Sequence, residues 1–179
     1  MNIFYLDKDP STCAKMHVDK HCVKMILEYA QLLSTAHRFL DGTKSIRLSK
    51  TGRKQTAFIL PDSRESLLYS ATHINHPSAI WCRGNLENYL WLHSLLASLC
   101  REYTHRYGKT HKCESIGLVD ALQNSPSIIP VGEFTEPTPA MPEHYRVPGD
   151  SIQSYKNYYL GDKKRMFAWK NRTQPEWVC

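Results

Sequence analysis

Residues 17–33 read His-Val-Asp-Lys-His-Cys-Val-Lys-Met-Ile-Leu-Glu-Tyr-Ala-Gln-Leu-Leu, and their spacing is typical of an amphipathic helix. Apolar residues recur every three or four positions along one side, at Val18, Cys22, Met25, Tyr29, Leu32 and Ala36. The other side is a polar strip that spans a wedge of about 100° and contains His17, Lys20, His21, Lys24, Glu28 and Gln31. We predict a helix over about residues 18–40, ended by Asp41-Gly42, that buries the apolar side and exposes the polar strip.

The rest of the sequence also favours helices. Helical spacing recurs in a long stretch from Asn85 to Tyr107, which Gly108 ends, and in shorter stretches over 63–70, 112–124 and 150–170. Residues 2–6 are apolar and suit a buried strand or extended segment, and Asp9-Pro10-Ser11 suits a helix start. Because strand signals are sparse, we predict a mainly α, single-domain helical fold over residues 1–179.

Two segments interrupt the helical pattern. Residues 43–62 are basic and polar, which predicts an exposed basic loop or a weak hairpin. Residues 125–149 contain most of the ten prolines, so we predict a long Pro-rich irregular segment before the C-terminal helix.

Composition excludes some protein classes. The sequence has no apolar run long enough for a transmembrane helix and no recognisable export signal at its start, so we expect a cytoplasmic protein without a membrane partner. The six cysteines form no C-x-x-C pair and are expected to be reduced thiols, with Cys22 and Cys100 in the core. The sequence does not set the oligomeric state.

The charge balance is compatible with a polyanionic partner. The 179 residues carry a formal charge of +6. Five of the cations lie within residues 43–62, at Lys44, Arg47, Lys50, Arg53 and Lys54. A solvated surface and a contact with the DNA backbone both explain this run.

The polar strip holds the residues best suited to chemistry. A lysine amine at position 20 or 24 can attack a sugar C1′ or a carbonyl, and Glu28 can stabilise a cationic centre or move protons. The alternative is an ordinary surface ion pair, although lysine before glutamate is the less favourable order for pairing along a helix.

Histidines and aromatic residues give two further candidates. A metal site could draw on His17, His21, His73 and His76, but no carboxylate completes a recognised ligand spacing, so we predict no metal ion and no cofactor. The other set contains Trp81, Arg83, Asn88 and Tyr89, which suit either the core or stacking on an extruded base. Glu102 and Arg106 are expected to form a local salt bridge.

Several segments resemble the pyrimidine-dimer DNA glycosylase family of the T4 endonuclease V type, in the form that bacteriophage members show. The spacing of His21 and Glu28 is similar to the family's catalytic helix, and Lys24 is similar to a lysine of its bacterial members. Further matches are Asn75-His76-Pro77 with Trp81, the helix from Asn88-Tyr89 to Arg106-Tyr107, and the aromatic segment Tyr158–Lys163.

The resemblance implies an all-α fold that binds double-stranded DNA, flips a base and excises it by amine attack. Glu28, Lys24 and His21 are then the catalytic candidates. The expected DNA contacts come from Lys20, Gln31, His73, Asn75, His76, Trp81, Arg83, Asn88 and Tyr89. A phage-encoded protein would act in the host cytoplasm.

The sequence departs from the family at two positions. The family's type enzyme uses the α-amino group of a threonine that becomes the first residue, whereas Asn2 normally retains the preceding Met1. Gln31 stands where that enzyme has an arginine. Lys24, Lys20 or water would therefore act as the nucleophile.

Three functions follow from the sequence as hypotheses. The first is a DNA N-glycosylase, with or without abasic-site lyase activity, that acts on a damaged or modified pyrimidine. The second is a metal-dependent nuclease or hydrolase that uses the histidines. The third is a non-catalytic phage accessory protein that binds nucleic acid or a host factor.

Overall fold

Helices dominate the computed structural model, which describes residues 1–48 and 51–178. The helices, in chain order, are α1 (Pro10–Met16), α2 (Asp19–Asp41), α3 (Arg64–Leu67), α4 (Pro77–Cys82), α5 (Leu86–Tyr107), α6 (Lys112–Ser115), α7 (Leu118–Ala121) and α8 (Ser151–Tyr158). The strands β1 (Thr43–Leu48) and β2 (Lys54–Ile59) form one antiparallel pair. The mainly α prediction is confirmed.

The two long helices α2 and α5 pack against each other and form the centre of the core. The apolar side of α2 is buried as its spacing predicts, including Met25, Tyr29 and Leu32. Asn85 caps the start of α5 by accepting a hydrogen bond from the Asn88 amide, and Gly108 ends that helix in a left-handed conformation with φ 63°.

The N-terminal segment, residues 3–6, is extended and buried against α2 without pairing into a sheet. The Phe4 amide donates to the Tyr29 hydroxyl at 3.1 Å, and this hydroxyl lies 3.2 Å from Nε2 of His17. Nδ1 of His17 lies 2.8 Å from the Cys13 carbonyl, which can only accept, so Nδ1 carries the proton and Nε2 accepts from Tyr29. This relay ties the N-terminal segment, α1 and α2 together.

A buried charge network holds the C-terminal tail. The fully buried Arg106 guanidinium donates to Glu102, to Asp19 and to the carbonyl groups of His17 and Lys15. Arg172 of the tail donates to the same Glu102 carboxylate. The expected Glu102–Arg106 pair is therefore confirmed, and it is one part of a network that joins α1, α2, α5 and the tail.

The regions outside the long helices differ in part from expectation. Residues 43–48 and 54–59 form a hairpin, which is one of the two structures predicted for residues 43–62. The predicted final helix ends at Tyr158 and is followed by a π-helical turn over 159–163 and a 3₁₀ turn over 164–166. The predicted helix over 112–124 is split into α6 and α7 because Gly117 adopts φ 76°. Residues 125–149 are irregular apart from a 3₁₀ turn at Glu143–Tyr145.

The described residues include five of the six cysteines and all of the helices named above. Five cysteines are free thiols and buried, at positions 13, 22, 82, 100 and 113. Cys179 and Lys50 lie outside the described residues. Within residues 1–48 and 51–178, no helix has the length and apolarity needed to cross a bilayer.

Candidate functional site

An ion pair lies on the exposed part of α2, where the polar strip predicts it. Nζ of Lys24 lies 3.0 Å from Oε1 of Glu28, one helical turn away. The lysine side chain is 69% exposed, whereas the glutamate side chain is only 16% exposed. Lys20 is exposed one turn earlier, and Gln31 is half-buried one turn later. The carboxylate is thus partly shielded from water while the amine can be reached from solvent.

The loop before α4 brings a histidine close to this pair. His76 caps α4, and its Nδ1 accepts a hydrogen bond from the Ser78 amide at 3.1 Å. Burial lowers the pKa of His76, the Met1 amino group and His73 lower it further, and the Glu28 carboxylate acts in the opposite direction. α4 packs against α2, and the Ser78 hydroxyl donates to the Met1 carbonyl, so His76 and the start of the chain lie on elements next to the helix that carries Glu28.

The same loop carries local backbone strain. His73 has φ 48°, which is uncommon for a residue with a side chain. Its Nδ1 lies 2.7 Å from the Thr72 hydroxyl, and the Thr72 amide donates to the Thr35 hydroxyl of α2. Asn75 is exposed at the tip of this turn. The loop is therefore tied to α2 at Thr35, about two turns beyond Glu28.

His17 and His21 do not lie on the exposed strip, contrary to the helical projection. His17 precedes α2 and is fully buried, and burial lowers its pKa to about 4. His21 is covered by the Phe4 ring, stacked at 4.1 Å between centroids, and its Nδ1 lies 2.6 Å from the Tyr159 hydroxyl. Burial lowers the pKa of His21 to about 3. The N-terminal segment covers this side of α2, so both imidazoles have core partners instead of solvent.

Trp81, Asn88 and Tyr89, expected to contact DNA, are core residues. The Trp81 indole donates to the Thr135 carbonyl, and Asn88 donates to the Trp81 carbonyl and the Thr135 hydroxyl. Tyr89 is fully buried, and its hydroxyl bonds the carbonyl of residue 122. Their side chains stabilise the packing of α4, α5 and the Pro-rich segment, which excludes stacking on a base in this conformation.

Arg83 is half-buried at the end of α4. Its guanidinium lies over the Phe39 ring, 4.2 Å from the centroid. Nη1 of Arg83 is buried without a hydrogen-bond partner among the described residues. Because this side chain faces the end of α2 and not the Lys24–Glu28 pair, the structure separates it from the other candidates.

A recess that the sequence did not reveal opens beside Lys24. We call it the Tyr69 recess; it has a volume of about 440 Å³ and is lined by Val23, Lys24, Leu27, Tyr69, His111, Lys112 and Cys113. Nδ1 of His111 accepts from the Cys113 amide, and the Tyr69 hydroxyl lies 3.5 Å from the Cys113 sulfur. The lining is mainly apolar and aromatic with lysines at its edge. Only tertiary packing brings residues 69 and 111–113 to α2, so sequence spacing gave no signal.

The proposed metal ligands do not converge. His17 has partners at both ring nitrogens, and His21 has one at Nδ1 and lies beneath Phe4. Across the described ranges, no group of three or more His, Cys, Asp or Glu side chains is placed to hold a metal ion. The four histidines named from the sequence therefore divide into a buried pair and a pair on the surface loop.

Comparison of the chain with protein-family models, curated proteins and solved structures gives no match. The geometry around Glu28 and the sequence motifs are therefore the basis for a functional proposal.

Proposed function

We propose that this protein is a DNA N-glycosylase with abasic-site lyase chemistry, and that it excises a damaged or modified pyrimidine from double-stranded DNA. The observation that carries the proposal is the pair formed by Lys24 Nζ and Glu28 Oε1 at 3.0 Å. A reachable amine beside a shielded carboxylate is the minimum that amine-mediated base excision requires.

Each member of the pair has a distinct role. Glu28 accepts a proton from the Lys24 ammonium, and the neutral amine attacks C1′ of the sugar as the bond from C1′ to the base breaks. The bonding electrons leave with the base, Glu28 passes the proton it has accepted to the base, and the carboxylate that is restored stabilises the positive charge that develops on the sugar. Opening of the sugar ring gives an imine between Lys24 and C1′, and proton loss from C2′ then expels the 3′ phosphate.

The surroundings of the pair suit this chemistry. His73 and His76 lie in the loop before α4, and Lys20 lies on α2 one turn before Lys24. These cationic or hydrogen-bond-donating side chains can bind the phosphates that flank a target base. Lys24 also lines the Tyr69 recess. The volume of this recess lies within the usual range for ligand pockets, about 300–1,000 Å³. We assign it to the extruded base, which would stack on Tyr69 or His111.

Borohydride trapping tests the proposal. The protein is incubated with a duplex oligonucleotide that contains one abasic site, sodium borohydride is added, and the covalent adduct is mapped by peptide mass spectrometry. We expect an adduct on Lys24. Lys24→Arg keeps the charge and the ion pair but lacks a nucleophilic amine, so it should lower trapping at least 100-fold. Lys20→Arg is the matched control, and it should stay within about twofold of the wild type.

Further outcomes separate the parts of the proposal. Base release from a panel of lesion-containing duplexes should fall by about 10²–10⁴ in Glu28→Gln, the range typical of a lost acid–base group. An adduct on Lys20 or on the Met1 amino group would remove Lys24 from its role. If no adduct forms and no lesion is cleaved, the glycosylase proposal fails, and retained DNA binding would then favour a non-catalytic accessory protein.

A further inference from the structure

The β1–β2 hairpin is an extended ribbon with an exposed cationic and aliphatic face. In the antiparallel register Ile46 pairs with Thr56 and Leu48 pairs with Lys54, so their side chains share one face together with that of Lys44. Ile46 and Leu48 are 71% and 69% exposed. Two aliphatic side chains this exposed, two residues apart on the same face of one strand, form a small contiguous apolar patch, which is the kind of feature that marks an interaction site.

The electrostatics of the ribbon are uniformly positive. The sequence from Thr43 to Pro61 contains no aspartate or glutamate. Lys44 and Lys54 make no ion pair in the described part of the chain, and Arg47, still 58% exposed, contacts Glu65 at 3.3 Å. A second copy of the same face would repel this one, whereas a polyanion would be attracted.

The base of the ribbon is firmly mounted on the end of α2. Arg38 of α2 donates to the Phe58 carbonyl and to the Glu65 carboxylate, and that carboxylate also accepts from the Leu60 amide. The Phe39 and Phe58 rings pack with centroids 5.5 Å apart. The ribbon is thus held in a fixed direction relative to the helix that carries Glu28.

We infer that the hairpin is a DNA-binding arm that lies in the major groove of B-form duplex DNA. Six residues per strand give a length of about 20 Å. A major groove about 12 Å wide admits a two-stranded ribbon, whereas the major groove of A-form RNA is too deep and narrow for it. Lys44 and Lys54 contact phosphates, and Ile46 and Leu48 contact base edges such as the thymine methyl group.

The choice of double-stranded DNA as the partner of the arm rests on the proposed function. The structure adds where the arm lies relative to the target base. From Glu28 to Asp41, α2 advances about 20 Å along its axis, which corresponds to about six base pairs. The inference thus includes an α2 axis that runs along the duplex, which places the arm on one side of the target base. A duplex that is shortened on that side should lose the contribution of the arm, and a duplex shortened on the other side should not.

Salt-dependent binding to an undamaged duplex tests the arm. The slope of log Kd against log salt should decrease by about 2 in Lys44→Gln/Lys54→Gln, since each lost phosphate contact changes it by about 0.9. The control Lys8→Gln/Lys109→Gln removes the same charge from exposed lysines outside the hairpin and should keep the wild-type slope. Ile46→Ser/Leu48→Ser should weaken binding several-fold at an unchanged slope.

Some results would refute the DNA-binding arm, and one result would refute the glycosylase without refuting the arm. An unchanged slope in the hairpin variant, or equal losses in both lysine pairs, would refute the arm. A dimer in light scattering that the hairpin variants dissociate would assign the ribbon to a second copy instead. Wild-type protein that binds the duplex through the hairpin but releases no base from any lesion would refute the glycosylase while the arm stands.

Discussion

Acid should destabilise this protein well above the pH at which carboxylates protonate, because three histidines are buried in neutral form. Burial lowers the pKa of His17 and of His37 to about 4 and that of His21 to about 3. In the unfolded chain each regains a pKa of about 6.5. Between these values the unfolded state binds more protons, so the free energy of unfolding falls as the pH falls.

The magnitude follows from the size of the pKa shifts. Each buried histidine removes about 2 kcal/mol of stability between pH 7 and pH 5, at 1.36 kcal/mol per unit of pKa difference. The three together remove about 6 kcal/mol, comparable to the whole stability of a small domain. Asp41 and Glu102 have lowered pKa values, and their stabilising contribution is lost only as the pH falls below about 4.5, so the window from pH 5 to 7 isolates the histidines.

Urea unfolding followed by circular dichroism at pH 7, 6 and 5 measures this decline. In His37→Gln the amide can still accept from Arg64 and donate to Tyr89, and the decline between pH 7 and 5 should shrink by about a third. His144→Gln removes an exposed imidazole and should leave the decline unchanged. Equal stability at pH 7 and pH 5 in the wild type would refute the assignment of three neutral buried imidazoles.

Three stability predictions can be checked by the same urea titration at pH 7. Tyr29→Phe should cost about 1–3 kcal/mol, because it leaves the Phe4 amide and His17 Nε2 without a partner; a neutral effect would exclude the relay. Arg106→Met should cost about 3–5 kcal/mol, because it removes a counter-charge from the buried Glu102 and from Asp19. Restored stability in a double variant that also carries Glu102→Met would support this cause. Gly108→Ala should cost about 1 kcal/mol, since φ 63° is unfavourable for alanine although space is free; no loss would argue against the left-handed cap.

The sequence predicted the helices that have strong local signals. The 3.6-residue spacing defines α2, and the Asn85 cap with the Gly108 stop defines α5 almost to the residue. Segments held by tertiary contacts were less predictable. The hairpin has little burial and no strict alternation of apolar residues, and it is set in place by Arg38 and Glu65 from other parts of the chain.

The helical projection of α2 placed candidate residues correctly only where no other segment of the chain covers the helix. Lys24 is exposed and pairs with the partly shielded Glu28 on the strip that the projection identifies. The projection assigned His21 to the same strip because it cannot represent the N-terminal segment, whose Phe4 ring covers that side. Trp81 and Tyr89 suit base stacking by residue type, but their hydrogen bonds to carbonyl groups show that they act in the core.

The buried histidine relay gives a physical reason why the candidate site has a fixed shape. Phe4, Tyr29 and His17 hold residues 3–6 against α2, and the Ser78 hydroxyl donates to the Met1 carbonyl at 3.0 Å, which brings the start of the chain to α4 and His76. Glu28 lies one residue before Tyr29 on the same helix. We therefore expect a change in the relay to shift the groups beside Glu28, although no relay residue is one of the catalytic candidates.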